Sequence, residues 1–224
     1  MRIFIDRCLE RYAVTHATRV KPRAVKWGPH RFELPVAQRC YDSPREDEVF
    51  VREELPYLVS LCRTAKDEKL EFCTSSELHM EAFRQSISKQ GYQGIDWFSD
   101  VKLTKVPCPV DRFASGDKVI DPVVDFGKDE QLAFFRSITH LRFLHLRNTL
   151  GDAQLADAFH LWTAEEACLD VFLTMDRKFL NNVHDRLKAI DSTVAVIAPK
   201  QLCERIGLPP SDIEGLAAEI DPFA

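Results

Sequence analysis

At 224 residues and 45% hydrophobic composition, the chain suits one domain with insertions around a single core. It holds no apolar run of about 18 residues, which excludes a membrane-spanning helix, and its opening MRIFIDRCLE meets charge too early for a secretory leader. The formal charge is only −5, but residues 11–39 carry Arg11, Arg19, Lys21, Arg23, Lys26, Arg31 and Arg39 against Glu33 alone.

RIFI at 2–5 reads as a buried strand ending at Asp6. Pro22, Pro29, Pro35 and Pro44 break any long helix in 9–47, which is expected to be an extended loop or partly ordered insertion. The spacing of Val49, Phe50, Leu55, Leu58, Leu61 and Cys62 predicts a helix over 48–66, with Pro56 inside it. LEFCTS (70–75) is a second strand, and Ser75 or Ser76 then caps a helix that Gly91 ends. Residues 91–127 read as mostly loop around one short element of unassigned position. One helix is predicted over 128–151, opened by acids and closed by Gly151. Asp152 or Asp157 begins the next helix, to about Cys168. LDVFLT (169–174) is a third strand, with a helical turn after it at about 177–188. TVAVIAP (193–199) is a fourth strand, Pro199 opens a short last helix, and an acidic tail starts at Pro209.

Short, wholly apolar strands alternating with helices predict an α/β fold. The expected form is a three-layer α/β/α sandwich on a short parallel sheet, spanning 1–208 with insertions at about 9–47 and 91–127. The seven cysteines are scattered, odd in number and form no CxxC pair. They read as reduced thiols of a cytoplasmic protein rather than a disulfide framework or a zinc site.

In such a sheet the carboxyl end of each strand shares an edge with the amino end of the next helix, and ligands gather there. Asp6 follows the first strand, and Glu77 follows the second at its helix start. The helix from Asp157 descends roughly 18 Å and the following strand climbs roughly 20 Å, which brings Asp176 level with Asp157. Four carboxylates at one edge repel one another unless they share a proton or hold a cation. All-oxygen ligation selects Mg²⁺ or Mn²⁺, with positions left for phosphate oxygens. Taken singly, each acid also reads as a plain cap or turn residue.

These residues resemble the PIN-domain nucleases. LADAFHLWTAEEACLDVFLTMDRKF resembles that family's late signature, with Asp157 on its third acid and Asp176 on its fourth. RIFID resembles the opening strand with Asp6 as first acid, and CTSSEL the segment that carries the second, at Glu77. TVAVIAPKQLCERIGL is similar to the closing strand, proline and helix. After Asp6 the chain has Arg7 and Cys8, where the family usually has a small residue and an asparagine. The resemblance implies a Mg²⁺- or Mn²⁺-dependent ribonuclease of single-stranded RNA, often a homodimer. In many bacterial members it is a toxin held by an antitoxin-type inhibitor. It implies that Asp6, Glu77 and Asp157 bind or orient the metal, that Asp176 completes the centre, and that the Thr174 hydroxyl holds an acid or a water.

Arg177 and Lys178 follow the fourth acid and are placed to meet a phosphate, as a solvated helix start also would be. Arg7 is placed to crowd a metal or reach a phosphate. Arg23 and Lys26, with Trp27 beside them, are the expected RNA contacts of the basic segment; a solvated basic loop gives the same composition. His160 reads as a hydrogen-bonded packing residue. Two rival functions remain at this stage. One is a catalytically weakened nucleic-acid-binding or scaffold module, and the other is a phosphatase or DNA-directed nuclease on a similar acidic edge.

Overall fold

The computed structural model describes residues 1–27, 29–41, 44, 48–67, 69–83, 96–112 and 127–213. In chain order these form β1 (Arg2–Ile5), α1 (Arg7–Tyr12), β2 (His16–Trp27), β3 (His30–Tyr41), α2 (Val49–Lys66), β4 (Glu71–Ser75) and α3 (Ser76–Phe83). There follow β5 (Leu103–Val106), α4 (Lys128–Ser137), α5 (Leu141–Leu150), a 3₁₀ turn (Asp152–Gln154) and α6 (Leu155–Glu166). The last elements are β6 (Val171–Leu173), α7 (Arg177–Asp185), α8 (Leu187–Ile190), β7 (Ala195–Ile197) and α9 (Pro199–Ile206).

Five strands form one parallel sheet in the order β5-β4-β1-β6-β7. The chain starts at the centre, builds outward through β4 and β5, then returns to β1 and builds the other way through β6 and β7. The strand order therefore reverses at β1 and β6, the place where open α/β sheets leave a crevice at their carboxyl edge.

Strand alternation explains the layers. Ile3, Ile5, Phe72, Val171, Leu173 and Ile197 point to one face and pack with α1, α2 and α9 through residues such as Leu9, Leu58, Leu61 and Leu202. Phe4, Cys73 and Phe172 point to the other and pack with α4 to α7 through Phe135, Phe143, Phe159, Trp162 and Phe179. The fold is the expected three-layer α/β/α sandwich. Each such side chain, fully withdrawn from water, contributes about 2 kcal/mol, so both faces of the sheet must be apolar. Residues 209–213 dock on α2, where Ser60 Oγ donates to Pro209 O (2.7 Å) and Ser211 N donates to Pro56 O (3.1 Å).

Two expectations need correction. The stretch 9–47 is not a loop: β2 and β3 are 12-residue strands of an antiparallel ribbon. Pro22 stands directly opposite Pro35. Both strands of a lone ribbon are edges, and a non-hydrogen-bonded pair asks neither residue for the N–H it lacks, so proline there breaks nothing. The predicted helix over 128–151 is two helices, with Ile138 (ψ 127°) and His140 (ψ 129°) extended between them. Its apolar spacing runs on through the break, so periodicity alone hides it. Among the described residues of 91–127 lies one strand, β5, at the edge of the sheet. The end of the helix placed before Gly91 lies outside the described residues.

Candidate functional site

The carboxyl ends of β1 and β6 lie side by side, because Ile5 pairs with Leu173. Asp6, the next residue, donates its N–H to Leu173 O (2.9 Å) and carries the sheet one step further. Its carboxylate is buried, and Oδ2 accepts from the Thr174 hydroxyl and from Cys8 Sγ (3.1 Å). Thr174 Oγ1 also accepts the Asp176 N–H at 3.0 Å. One hydroxyl thus ties the first acid to the segment that carries the fourth. Asp176 is exposed and caps α7, with Oδ1 accepting from Lys178 N (2.8 Å) and Phe179 N (3.0 Å), which satisfies two of the orphan donors at the helix start.

Asp157 enters from the first turn of α6. Burial pushes its carboxyl up to about 8, and the charges of Asp6, Asp176 and Glu81 push the same way against His160. Burial also raises Asp6, while Thr174 and Cys8, which donate to it, and the nearby His160 pull the other way. Low dielectric and like charge thus act together on two carboxylates brought from distant parts of the chain.

The structure brings Asp6, Asp157 and Asp176 into one electrostatic neighbourhood, with Glu81 as the fourth acid. Glu77 is engaged by other partners. Glu77 is 1% exposed, and a bidentate pair with Arg112 holds it, Nε to Oε1 at 2.7 Å and Nη2 to Oε2 at 3.1 Å. Gln131 Nε2 adds a third bond to Oε2 at 2.9 Å. Those bonds tie the head of α3 to the segment after β5 and to α4, which is a structural task. Glu81 sits one helical turn further along α3, on the same stripe, and that i, i+4 spacing was the signal sequence reasoning passed over.

Two more residues of the neighbourhood were missed or underrated. His160 is buried, its Nε2 lies 3.1 Å from Glu81 Oε1, and its Nδ1 has no hydrogen-bond partner among the described residues. Burial opposes its charged form, but Glu81, Asp157 and Asp6 outweigh that and hold its pKa above the ordinary imidazole range. The Cys8 thiol, pushed well up by burial and then by Asp6, also receives the Met175 N–H at 3.2 Å. It is a packed hydrogen-bonding group rather than a nucleophile.

Of the expected phosphate contacts, Arg177 and Lys178 are exposed at the head of α7. Arg7 is turned inward onto Glu10, its side chain 13% exposed, and burial lowers its pKa against the pull of Glu81 and Asp96. Arg23 lies on β2 opposite Leu34, and Lys26 is exposed opposite Arg31.

Among the described residues no three His, Cys, Asp or Glu side chains stand as a ready-made metal set. The donors nonetheless suit a hard dication in kind, since all are carboxylate oxygens. Asp157 accepts no hydrogen bond from the described residues to offset its burial. Comparison of the chain with protein-family models, with curated proteins and with solved structures finds no match.

Proposed function

We propose that the chain is a divalent-metal-dependent ribonuclease of the PIN-domain type, which hydrolyses phosphodiesters of single-stranded RNA at the carboxyl edge of its sheet. The observation that carries this reading is Asp157, a carboxyl pushed to about 8 by burial and by Asp6, Asp176 and Glu81. A fold that gathers like charges in low dielectric at a switch point gives up stability to do so, and a hard cation relieves the repulsion.

Asp6 and Asp157 would hold Mg²⁺ or Mn²⁺, with Asp176 and Glu81 completing the charge around it. Such an ion supplies positive charge to the scissile phosphate and makes a neighbouring water easier to deprotonate. The chain's own residues do the rest. Thr174 fixes the direction of the Asp6 carboxylate. The Asp176 cap holds one carboxylate at the mouth while Arg177 and Lys178, beside it, face solvent and attract the strand.

The test is Mn²⁺ calorimetry on the native protein and on Asp157→Asn, together with cleavage of labelled single-stranded RNA and DNA in Mg²⁺ or Mn²⁺. Binding that weakens in the variant, with RNA cut in preference to DNA, supports the reading. A second reading has its own observation. Arg7 and His160 already bring positive charge to Glu81, as a weakened binding or scaffold module would. Absence of Mn²⁺ binding at millimolar concentration would favour that module, and DNA cut in preference to RNA would favour the DNA-directed reading.

A further inference from the structure

The ribbon β2–β3 is built unlike the rest of the molecule. Among the described residues its substantial contacts are between its own two strands. It is anchored at its base, where Val14 bridges Asp96 and Trp97 Nε1 donates to Thr15 Oγ1 at 2.9 Å. Twelve residues of strand extend roughly 40 Å. A two-stranded ribbon by itself is marginal in water, and among the described residues no other element packs substantially against this one.

The strands carry Arg19, Lys21, Arg23, Lys26, Arg31 and Arg39 against Glu33, in a chain whose overall charge is negative. Lys26 and Arg31 stand directly opposite one another and both are exposed. Cross-strand neighbours lie about 5 Å apart at Cβ, where like charges destabilise a ribbon. Glu33, exposed two pairs away opposite Ala24, forms an ion pair with neither. Lys26 and Arg31 flank a hollow of about 430 Å³ that is also lined by Ala24 and Pro29.

We infer that the ribbon is a nucleic-acid arm, in which Lys26 and Arg31 together grip one backbone phosphate of a single strand and lead that strand toward the acidic edge. Two cations one cross-strand step apart match the two free oxygens of a single phosphodiester. Ala24 and Pro29 offer an apolar floor for the sugar. The acidic remainder of the chain would repel a polyanion met elsewhere. This rests on the ribonuclease reading for the direction of the strand, but the grip itself does not need catalysis.

The experiment is fluorescence anisotropy of a labelled single-stranded RNA on the full chain in EDTA, across a salt series. The variants are Lys26→Gln with Arg31→Gln, and Asp157→Asn. The glutamine pair should weaken binding about tenfold at 0.1 M salt and flatten the log–log salt slope by about 0.7, one phosphate contact's worth for a single strand. Asp157→Asn should bind no more weakly than the native chain. Lys26→Arg with Arg31→Lys keeps the charge and should keep the native slope, which separates lost charge from a disturbed ribbon. An unchanged slope in the glutamine pair overturns the arm, as does equal competition by polyglutamate of matched charge. Slope loss in a chain that never cleaves RNA would leave the arm standing and the nuclease reading fallen; cleavage with an unchanged slope would do the reverse.

Discussion

The sheet's carboxyl edge and the ribbon each crowd like charges, but in opposite surroundings. At the edge, Asp6 is 8% exposed and Asp157 is raised to about 8. On the ribbon, Lys26 and Arg31 stand opposite each other in open water. Water and salt screen the second repulsion to a few tenths of a kcal/mol, while burial makes the first large enough to shift protonation. The edge should therefore answer to pH and to divalent cations, and the ribbon to ionic strength.

The comparison breaks most visibly at the acids. Asp6→Asn and Asp157→Asn should each lower cleavage of a labelled RNA about a thousandfold and leave the circular dichroism spectrum native, since each removes a repelling charge. A variant that unfolds, or that keeps its activity, would make these acids architectural.

A pair of substitutions on α3 sharpens the same point. Glu77→Gln should cost about 3 kcal/mol in urea unfolding, because it removes the charge of one partner from a buried bidentate ion pair, and should leave Mn²⁺ affinity unchanged. Glu81→Gln should do the opposite, weakening Mn²⁺ with little loss of stability. Calorimetry showing metal affinity tracking Glu77 instead would return that residue to the centre.

Next in size is the dependence of stability on pH. The Asp157 carboxyl titrates near 8 when folded and near 3.8 when not. Below about pH 4 both states hold the proton and its contribution to stability is full. As pH rises toward 8 the unfolded chain releases the proton while the native chain resists, so stability falls, and above 8 it levels out. Asp157→Asn should flatten this profile and raise stability at pH 8 by on the order of 2 kcal/mol, allowing for partial solvation of its neighbours. Thermal melts from pH 4 to pH 9 would show it, and a native profile that rises over this range would contradict it.

The sequence was most legible where one force acted alone. Each of the four anticipated strands of the sheet was apolar on both faces because both faces are covered, and each lies within a residue or two of its expected span. The placement of Asp6, Asp157 and Asp176 followed from the same geometry, since element lengths return the chain to one edge. Glu77 and Glu81 were not separable by that argument, because both lie on one stripe of α3. The choice was made by Arg112 and Gln131, which arrive from segments distant in sequence. The ribbon was illegible for a related reason. Proline is forbidden only where a ladder needs its missing N–H, and pairing Pro22 with Pro35 is a property of register, which no single strand's composition carries.

The smallest expected effect tests the ribbon's side of the contrast. Lys26→Ala removes one of two cations held opposite each other, so without nucleic acid it should stabilise the ribbon by about 0.3 kcal/mol at low salt. That is too little for a melt of the whole chain, but hydrogen exchange at the ribbon amides resolves it, because a ribbon without a core opens independently of the sheet. Raising salt to about 0.5 M shortens the screening distance to roughly the separation of the two charges, and the difference should then vanish. The same salt should leave the pH profile set by Asp157 almost unmoved, since a buried charge is screened far less. A Lys26→Ala effect that persists at high salt would mean that the lysine stem packs against the ribbon, and that repulsion between the two cations is not what keeps this arm ready for a phosphate.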